Sequence, residues 1–244
     1  MIDFCVLGSG VSGSTIANLL SKKYSVHVFD KARGLGGRSS NKRFKNNLSF
    51  DHGVQYISPK SKIFTKYIKN LYKNNILKTW DENHLDFTFE KKPSSTKYIG
   101  KRANNDLAKY NLKNIEKSFS SPITKINFNK YFWEITLEDK SKYQFKSLIL
   151  TCPYPQLKRL AKKYLHKKIL KLKVQMQPNI TVMIAFKNQK KLPISSIKFN
   201  DNILAWAANE NSKKRFKSNF NLWTLQATLK WSKKTINKYK IDKS

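Results

Sequence analysis

A six-residue stretch, Gly8-Ser9-Gly10-Val11-Ser12-Gly13, limits what this chain can fold into more than any other feature. An apolar run, Ile2 to Leu7, enters it as a buried parallel strand would. Beyond it Val11, Ile16, Ala17, Leu19 and Leu20 recur at helical spacing, and Lys22-Lys23 suits the C-terminal end of the helix dipole. A second run, Ser25 to Phe29, stops at Asp30. This order predicts a βαβ unit. Gly8 allows the tight turn, Gly10 lets the backbone approach a pyrophosphate, and Gly13 lets helix and strand pack closely. Asp30, 20 residues beyond Gly10, stands where a ribose hydroxyl would be bound. The context points to a dinucleotide site formed by Gly8, Ser9, Gly10, Val11, Ser12, Gly13 and Asp30.

Charge invites a different reading. The 244 residues carry 49 basic and 15 acidic side chains, a formal charge of +34. Only six of the basic residues are arginine, which leaves 43 lysines. Readers of phosphate or base edges favour arginine for its planar fork, so the lysine excess looks compositional rather than selected for nucleic acid. With 39% hydrophobic and 13% aromatic residues, the chain can build a core. No apolar run approaches the roughly 18 residues of a membrane span, and no leader pattern opens the chain. Cys5 and Cys152 lie in apolar runs and are expected to be reduced, buried thiols of a cytoplasmic protein. The His and Cys spacings match no metal-ligand pattern.

The remaining pattern predicts a helix over 61–73, with Ile63, Phe64, Tyr67, Ile68, Leu71 and Tyr72 on one side. A strand is expected at Leu85–Phe89 and a short helix at Asn105–Tyr110. Ile123–Phe128, Tyr131–Leu137, Tyr143–Phe145 and Leu148–Cys152 read as a meander that Pro153 and Pro155 stop. Residues 156–172 read as one amphipathic helix with Leu157, Leu160, Ala161, Tyr164, Leu165, Ile169 and Leu172 facing one way. Strands are expected at Ile180–Phe186, Ile203–Ala207 and Asn221–Leu229, followed by a lysine-rich ending with no closing helix or strand.

Two further motifs carry a resemblance. Asp30-Lys31 followed by Arg33-x-x-Gly36-Gly37-Arg38 resembles the segment after the second strand in FAD enzymes of the amine oxidase and protoporphyrinogen oxidase superfamily. Asp51-His52-Gly53-Val54-Gln55-Tyr56 is similar to the corresponding stretch of renalase-like flavoproteins. Tyr98-Ile99-Gly100, Leu204-Ala205-Trp206, Asn211-Ser212-Lys213, Trp223 and Trp231-Ser232 follow in the family's order. The resemblance implies an α/β fold: a Rossmann-like FAD-binding domain with a β-meander insertion, plus a second, α+β substrate domain. It would place residues 1–72 and 99–155 in the first, 73–98 and 156–232 in the second, and 233–244 in a truncated or disordered tail.

By the same resemblance, Lys31, Gly37 and Arg38 join the cofactor-binding set, with Arg38 on the pyrophosphate side of FAD. His52, Gly53 and Gln55 would lie beside the isoalloxazine ring. His52, Gln55 and Trp206 are the candidates for a catalytic role, and Trp206, Asn211, Ser212 and Trp223 would belong to the substrate domain. For His52 the competing reading is a loop histidine tied to backbone; for Trp206 and Trp223 core packing is the preferred reading. The implied activity is hydride transfer from a dihydronicotinamide dinucleotide isomer, or a small amine, to flavin, with oxygen as acceptor giving hydrogen peroxide. The competing function is a basic peripheral protein, its 156–172 helix lying on an anionic membrane or on nucleic acid.

The family pattern is not followed throughout. After Gly100 the chain reads Lys101-Arg102-Ala103-Asn104-Asn105, where the family has a proline and a Met-Asn pair. Nothing after Trp231 resembles the family's second, Gly-Asp cofactor motif. Truncation is the preferred expectation, with a second polypeptide or weakened binding as the alternatives.

Overall fold

In the computed structural model the described residues are 1–45, 47–81, 83–90, 95–187 and 192–238. Two units emerge, each assembled from two stretches of chain: 1–38 with 107–176, and 39–106 with 177–244. The α/β class and Rossmann-like sheet expected from the glycine turn are both present.

The first unit is built on a six-stranded sheet. Its strands run in the order Glu116–Ser118, Val26–Phe29, Ile2–Leu7, Lys142–Leu150, Trp133–Leu137, Ile123–Phe128. The first four are parallel, and the last two close the meander antiparallel. The central strands are apolar because both faces are covered. Val6, Ala17, Val26, Val28, Leu112 and Ile115 pack on one side, where the helix Val11–Leu20 lies. Cys5, Phe29, Ile126, Ile135, Leu137, Phe145 and Ala161 pack on the other.

The second unit holds a five-stranded sheet in the order Thr181–Lys187, Phe220–Ala227, Leu204–Asn209, Ser196–Lys198, His84–Leu85. Its neighbours are antiparallel except for the last pair. Trp80, Ile99 and Ala208 form one buried cluster with Tyr56 and Trp206 against it, and Leu48, Phe50 and Leu222 form another.

The structure corrects several expectations. Residues 39–72 and 99–106, expected in the cofactor domain, group with the second unit, and 156–176, expected in the substrate domain, group with the first. For the second exchange the reason is packing: Leu157, Leu160, Tyr164 and Leu165 cover the meander core around Ile126, Ile135 and Phe145. That segment is also not one helix. An α-helix spans Tyr154–Ala161, a 3-10 turn Lys162–Tyr164, and a short helix Lys167–Leu170, capped by His166 through its Nδ1. Like charges at i,i+4, such as Arg159 with Lys163 and Lys163 with Lys167, oppose a continuous helix there. Tyr164 is drawn onto the meander instead, accepting from the Phe128 N–H at 2.9 Å and donating to Asn127 Oδ1 at 3.2 Å.

Smaller departures have local causes. The helix Lys62–Lys73 buries Ile68 and Leu71, while Ile63 and Tyr72, expected on the same side, are exposed. The strand expected at Leu85–Phe89 is only His84–Leu85; Asp86 then accepts from the Thr88 N–H and hydroxyl, and Phe89 turns the chain at positive φ. The strand expected to end at Leu229 ends at Ala227, because Thr228 caps a helix, Leu229–Thr235, that the lysine-rich ending concealed. Of the tail, 239–244 lie outside the described residues. Cys5 is buried, but Cys152 is only partly so. Among the described residues no helix is long and apolar enough to cross a membrane.

Candidate functional site

At the C-terminal ends of the parallel strands, the turn 8–13 sits between Ile2–Leu7 and its two neighbours. Val26–Phe29 flanks the first strand on one side and Lys142–Leu150 on the other, so the chain reverses its winding direction at this strand. Such switch points are where open α/β sheets bind ligands. Gly8 has φ +106°, and a Cβ there would come within 2.7 Å of Thr151 Oγ1. Thr151, just past the third strand, donates its hydroxyl to the Leu7 carbonyl at 2.8 Å. A Cβ on Gly13 would lie 1.9 Å from the Gly8 carbonyl oxygen, so only glycine lets the helix start this close to the strand.

The turn is tied to both loops beside it. Ser9 donates its N–H and its hydroxyl to Asp30 Oδ2 at 2.7 and 2.6 Å, and the Ala32 N–H donates to Oδ1 at 2.9 Å. The second glycine loop meets the first: the Gly36 N–H donates to the Ser9 carbonyl at 3.1 Å, and Gly10 bridges Gly36. Gly36 and Gly37 have φ +112° and +52°, and a Cβ on Gly37 would crowd the Gly10 Cα at 3.3 Å.

These contacts leave a helix N-terminus open. Among the described residues no side chain caps the helix Val11–Leu20; its first turn holds no acid, and Val11 and Ser12 are exposed. Lys31, Arg33 and Arg38 are exposed on the adjoining loop. Unpaired helix amides, a glycine cradle and nearby cations form a donor set for a pyrophosphate. Asp30 retains acceptor capacity on Oδ1 for a hydroxyl. The residues present therefore fit the adenosine diphosphate part of a dinucleotide.

The second unit contains a charge cluster that the sequence pattern did not reveal. Asp51, Glu210, Lys213 and the Arg215 guanidinium are all buried, with side-chain exposures of 2% or less. Lys213 Nζ donates to Asp51 Oδ2 at 2.8 Å, Glu210 Oε2 at 2.9 Å and Gln55 Oε1 at 3.1 Å. Arg215 donates to the same Asp51 oxygen, to Asn104 Oδ1 at 2.8 Å and to the Gly100 carbonyl at 3.0 Å. Asp51 Oδ1 accepts from the Asn104 N–H and from Asn41 Nδ2, both at 3.1 Å. The Thr224 hydroxyl donates to Glu210 Oε1 at 2.7 Å. Lys214, with φ +49°, lies between the two cations in the left-handed region, and both aim at one carboxylate.

Burial opposes charge on Asp51, but Lys213 and Arg215 outweigh it and hold the carboxyl below the usual range. Burial pushes Glu210 up, against the pull of Lys213 and with the repulsion of Asp51. Of the members, Gln55 is a sequence candidate, and Asp51 and Lys213 lie within the motifs 51–56 and 211–213. Arg215 carried one signal, its scarcity as one of six arginines.

The remaining sequence candidates fall as follows. Gln55 is buried, and its Nε2 is turned to the Asp51 and Gly53 carbonyls, so its amide is engaged by its own chain. Gly53 O also accepts from Gln226 Nε2 at 2.7 Å. His52 is partly buried with Nε2 3.1 Å from Ser40 Oγ; burial lowers its pKa below 6.5, Asp51 opposing and Lys42 assisting. The partner is a side-chain hydroxyl, not the backbone. Trp206 packs against the Trp80, Ile99 and Ala208 cluster, its ring centroid 6.0 Å from that of Tyr56, with a buried Nε1 that has no hydrogen-bond partner among the described residues. Ser212 accepts from Trp80 Nε1 at 2.9 Å, and Asn211 pairs with the backbone of Phe220 and Leu222. Trp223 lies in the strand Phe220–Ala227.

Comparison with known proteins agrees with this geometry. Residues 6–72 match the family model described as an NAD(P)-binding Rossmann-like domain. The chain is 29% identical to mouse renalase over 167 residues, covering 64% of this chain and 48% of renalase, so the match spans about half of that relative's length. Among solved structures, a candidate protoporphyrinogen oxidase from Exiguobacterium sp. 255-15 superimposes with a TM-score of 0.71 at 11% identity, over 93% of this chain and 77% of that one. Wild-type putrescine oxidase bound to putrescine does so with a TM-score of 0.69 at 10% identity, over 96% and 77%. The chain is thus similar in sequence to renalase, matches an NAD(P)-binding Rossmann-like domain model over residues 6–72, and has the fold seen in the protoporphyrinogen oxidase and putrescine oxidase structures.

Proposed function

We propose that this chain is a renalase-like, FAD-dependent oxidoreductase that removes a hydride from a dihydronicotinamide-type dinucleotide, with small amines as the second donor class and oxygen as acceptor, giving hydrogen peroxide. The observation that carries the reading is the turn 8–13, with its uncapped helix and Asp30 beside it, in a chain similar to renalase.

When bound, FAD supplies the hydride acceptor; the chain's own task is to bind, orient and exclude water. The amides at the start of the helix Val11–Leu20 would hold the pyrophosphate, Lys31 and Arg38 would offset its charge, and Asp30 would take the adenosine ribose. Gly37 keeps the second loop close enough to Gly10 for both backbones to face one ligand. His52 remains neutral near pH 7, since burial disfavours its proton, and can share a hydrogen at Nε2 with Ser40. Gly53 and Gln55 present a loop whose shape is fixed from behind, and Trp206 forms an aromatic wall with Tyr56.

The test is the visible absorbance of the purified protein with FAD titrated in. An oxidised flavin spectrum that bleaches anaerobically with a dihydronicotinamide isomer is the expected result. Absence of uptake from excess FAD overturns the reading.

A further inference from the structure

We propose that Lys213 is a positioning residue for the 51–55 loop: its ammonium sets the loop through Asp51 and Gln55, and thereby sets the protein's affinity for the flavin end of FAD. The second half rests on the function proposed above.

The Lys213 ammonium is the group that can set this loop. It has three donors and no acceptor, and all three are used. Two end on the loop, at Asp51 Oδ2 and Gln55 Oε1, and the third ends on Glu210. Because an ammonium only donates, it selects the oxygen of the Gln55 amide. The nitrogen must then face the other way, toward the Asp51 and Gly53 carbonyls. One side chain on a distant turn therefore decides the orientation of two peptide groups. Without it the amide could turn over and present its oxygen to those carbonyls, which repel it.

A role in bulk stability does not account for this arrangement. Buried ion pairs such as these three commonly give no advantage over an apolar cluster of equal volume. Arg215 already neutralises Asp51. What Lys213 adds is the link to Gln55, held by a non-glycine left-handed residue, Lys214, of the kind that clusters where geometry matters.

The test uses the full chain with Lys213→Met and Gln55→Leu, singly and together. Gln55→Leu cuts the same link while leaving every charge in place, so it decides the matter if Lys213→Met does not fold. Amide hydrogen exchange at residues 51–56 is expected to rise by about tenfold in each single variant, and by no more in the double. Exchange in the strand Phe220–Ala227 is expected to stay within about twofold. FAD affinity, read by fluorescence quenching, is expected to fall by about tenfold, with a shift in the visible flavin band. Loop exchange within twofold of wild type in the folded variants overturns the role of Lys213. Faster exchange with unchanged affinity and spectrum overturns the link to flavin. If the wild-type protein takes up no FAD, the proposed function fails, and exchange at 51–56 still decides whether Lys213 sets the loop.

Discussion

Ser9 donates twice to a single oxygen of Asp30, from its peptide N–H at 2.7 Å and its hydroxyl at 2.6 Å. The end of the second strand and the start of the turn 8–13 are thereby one object, so Asp30 holds the turn in shape by itself. Asp30→Ala strands the Ser9 N–H and is expected to cost about 1–3 kcal/mol of stability, together with at least a tenfold loss of FAD affinity. Asp30→Asn is expected to fall between the two. Chemical denaturation and FAD titration on the same preparations check both effects.

Gly13→Ala tests the helix–strand approach. A Cβ 1.9 Å from the Gly8 carbonyl cannot be relieved by rotating a side chain, because the obstacle is backbone. The expected loss is about 3 kcal/mol or more, since the helix must back away from the strand. Gly34→Ala, with nothing within 4 Å of its Cβ, is the matched control and is expected to change little. The difference in thermal midpoint between the two variants is the measurement.

His27, His52 and Asp51 give the stability a pH dependence in the same direction. His27 is buried in the second strand, 2.9 Å from Ser118 Oγ, and burial lowers its pKa below 6.5 despite the opposing charge of Glu116. The native state therefore favours the neutral ring. Its contribution is complete above about pH 6.5 and is lost as pH falls toward the lowered value. Asp51, held below the carboxylate range, contributes stability above its unfolded value of about 3.9 that is lost on further acidification. Denaturant midpoints are expected to drop between pH 7.5 and 5 in the wild type, and to drop less in His27→Phe. Loss of the Asp51 contribution begins only below about pH 4.

The basic segment 154–170 offers a test against the peripheral-protein reading. Leu157 and Leu160 are packed on the meander core rather than held out for a bilayer. Leu157→Ala and Leu160→Ala are each expected to cost about 1–3 kcal/mol, as partly buried leucines should. Vesicle binding by the wild type is expected to be weak and abolished by salt, and these substitutions should not change it. Cosedimentation with anionic vesicles at low and high salt distinguishes the two.

What the sequence made legible was whatever depends on short-range periodicity. The strand Ile2–Leu7, the glycine turn and the helix after it declare themselves within twenty residues, and Ile123–Phe128 alternates cleanly. Glu116–Ser118 could not be read that way: Glu-Lys-Ser carries no apolar pattern and is a strand because Val26–Phe29 supplies its parallel partner. The site divides along the same line. The turn 8–13 is contiguous, but Asp51 and Lys213 are 162 residues apart and meet only through the fold. A lone Asp in one motif and a Lys among 43 give no sign of mutual burial. The broken 154–170 segment shows a third case, in which apolar spacing was right for a continuous helix and lysine repulsion decided where it ended.

The parallel pairing of Ile2–Leu7 with Lys142–Leu150 also has a consequence in time. On the ribosome the first strand emerges roughly 140 residues before the strand that completes its sheet, and at roughly 5–20 residues per second it waits on the order of ten seconds. Throughout that interval an apolar strand is made but only half paired. Over that interval its unpaired apolar edge is open to aggregation, as the exposed strand edges of a partly made chain are.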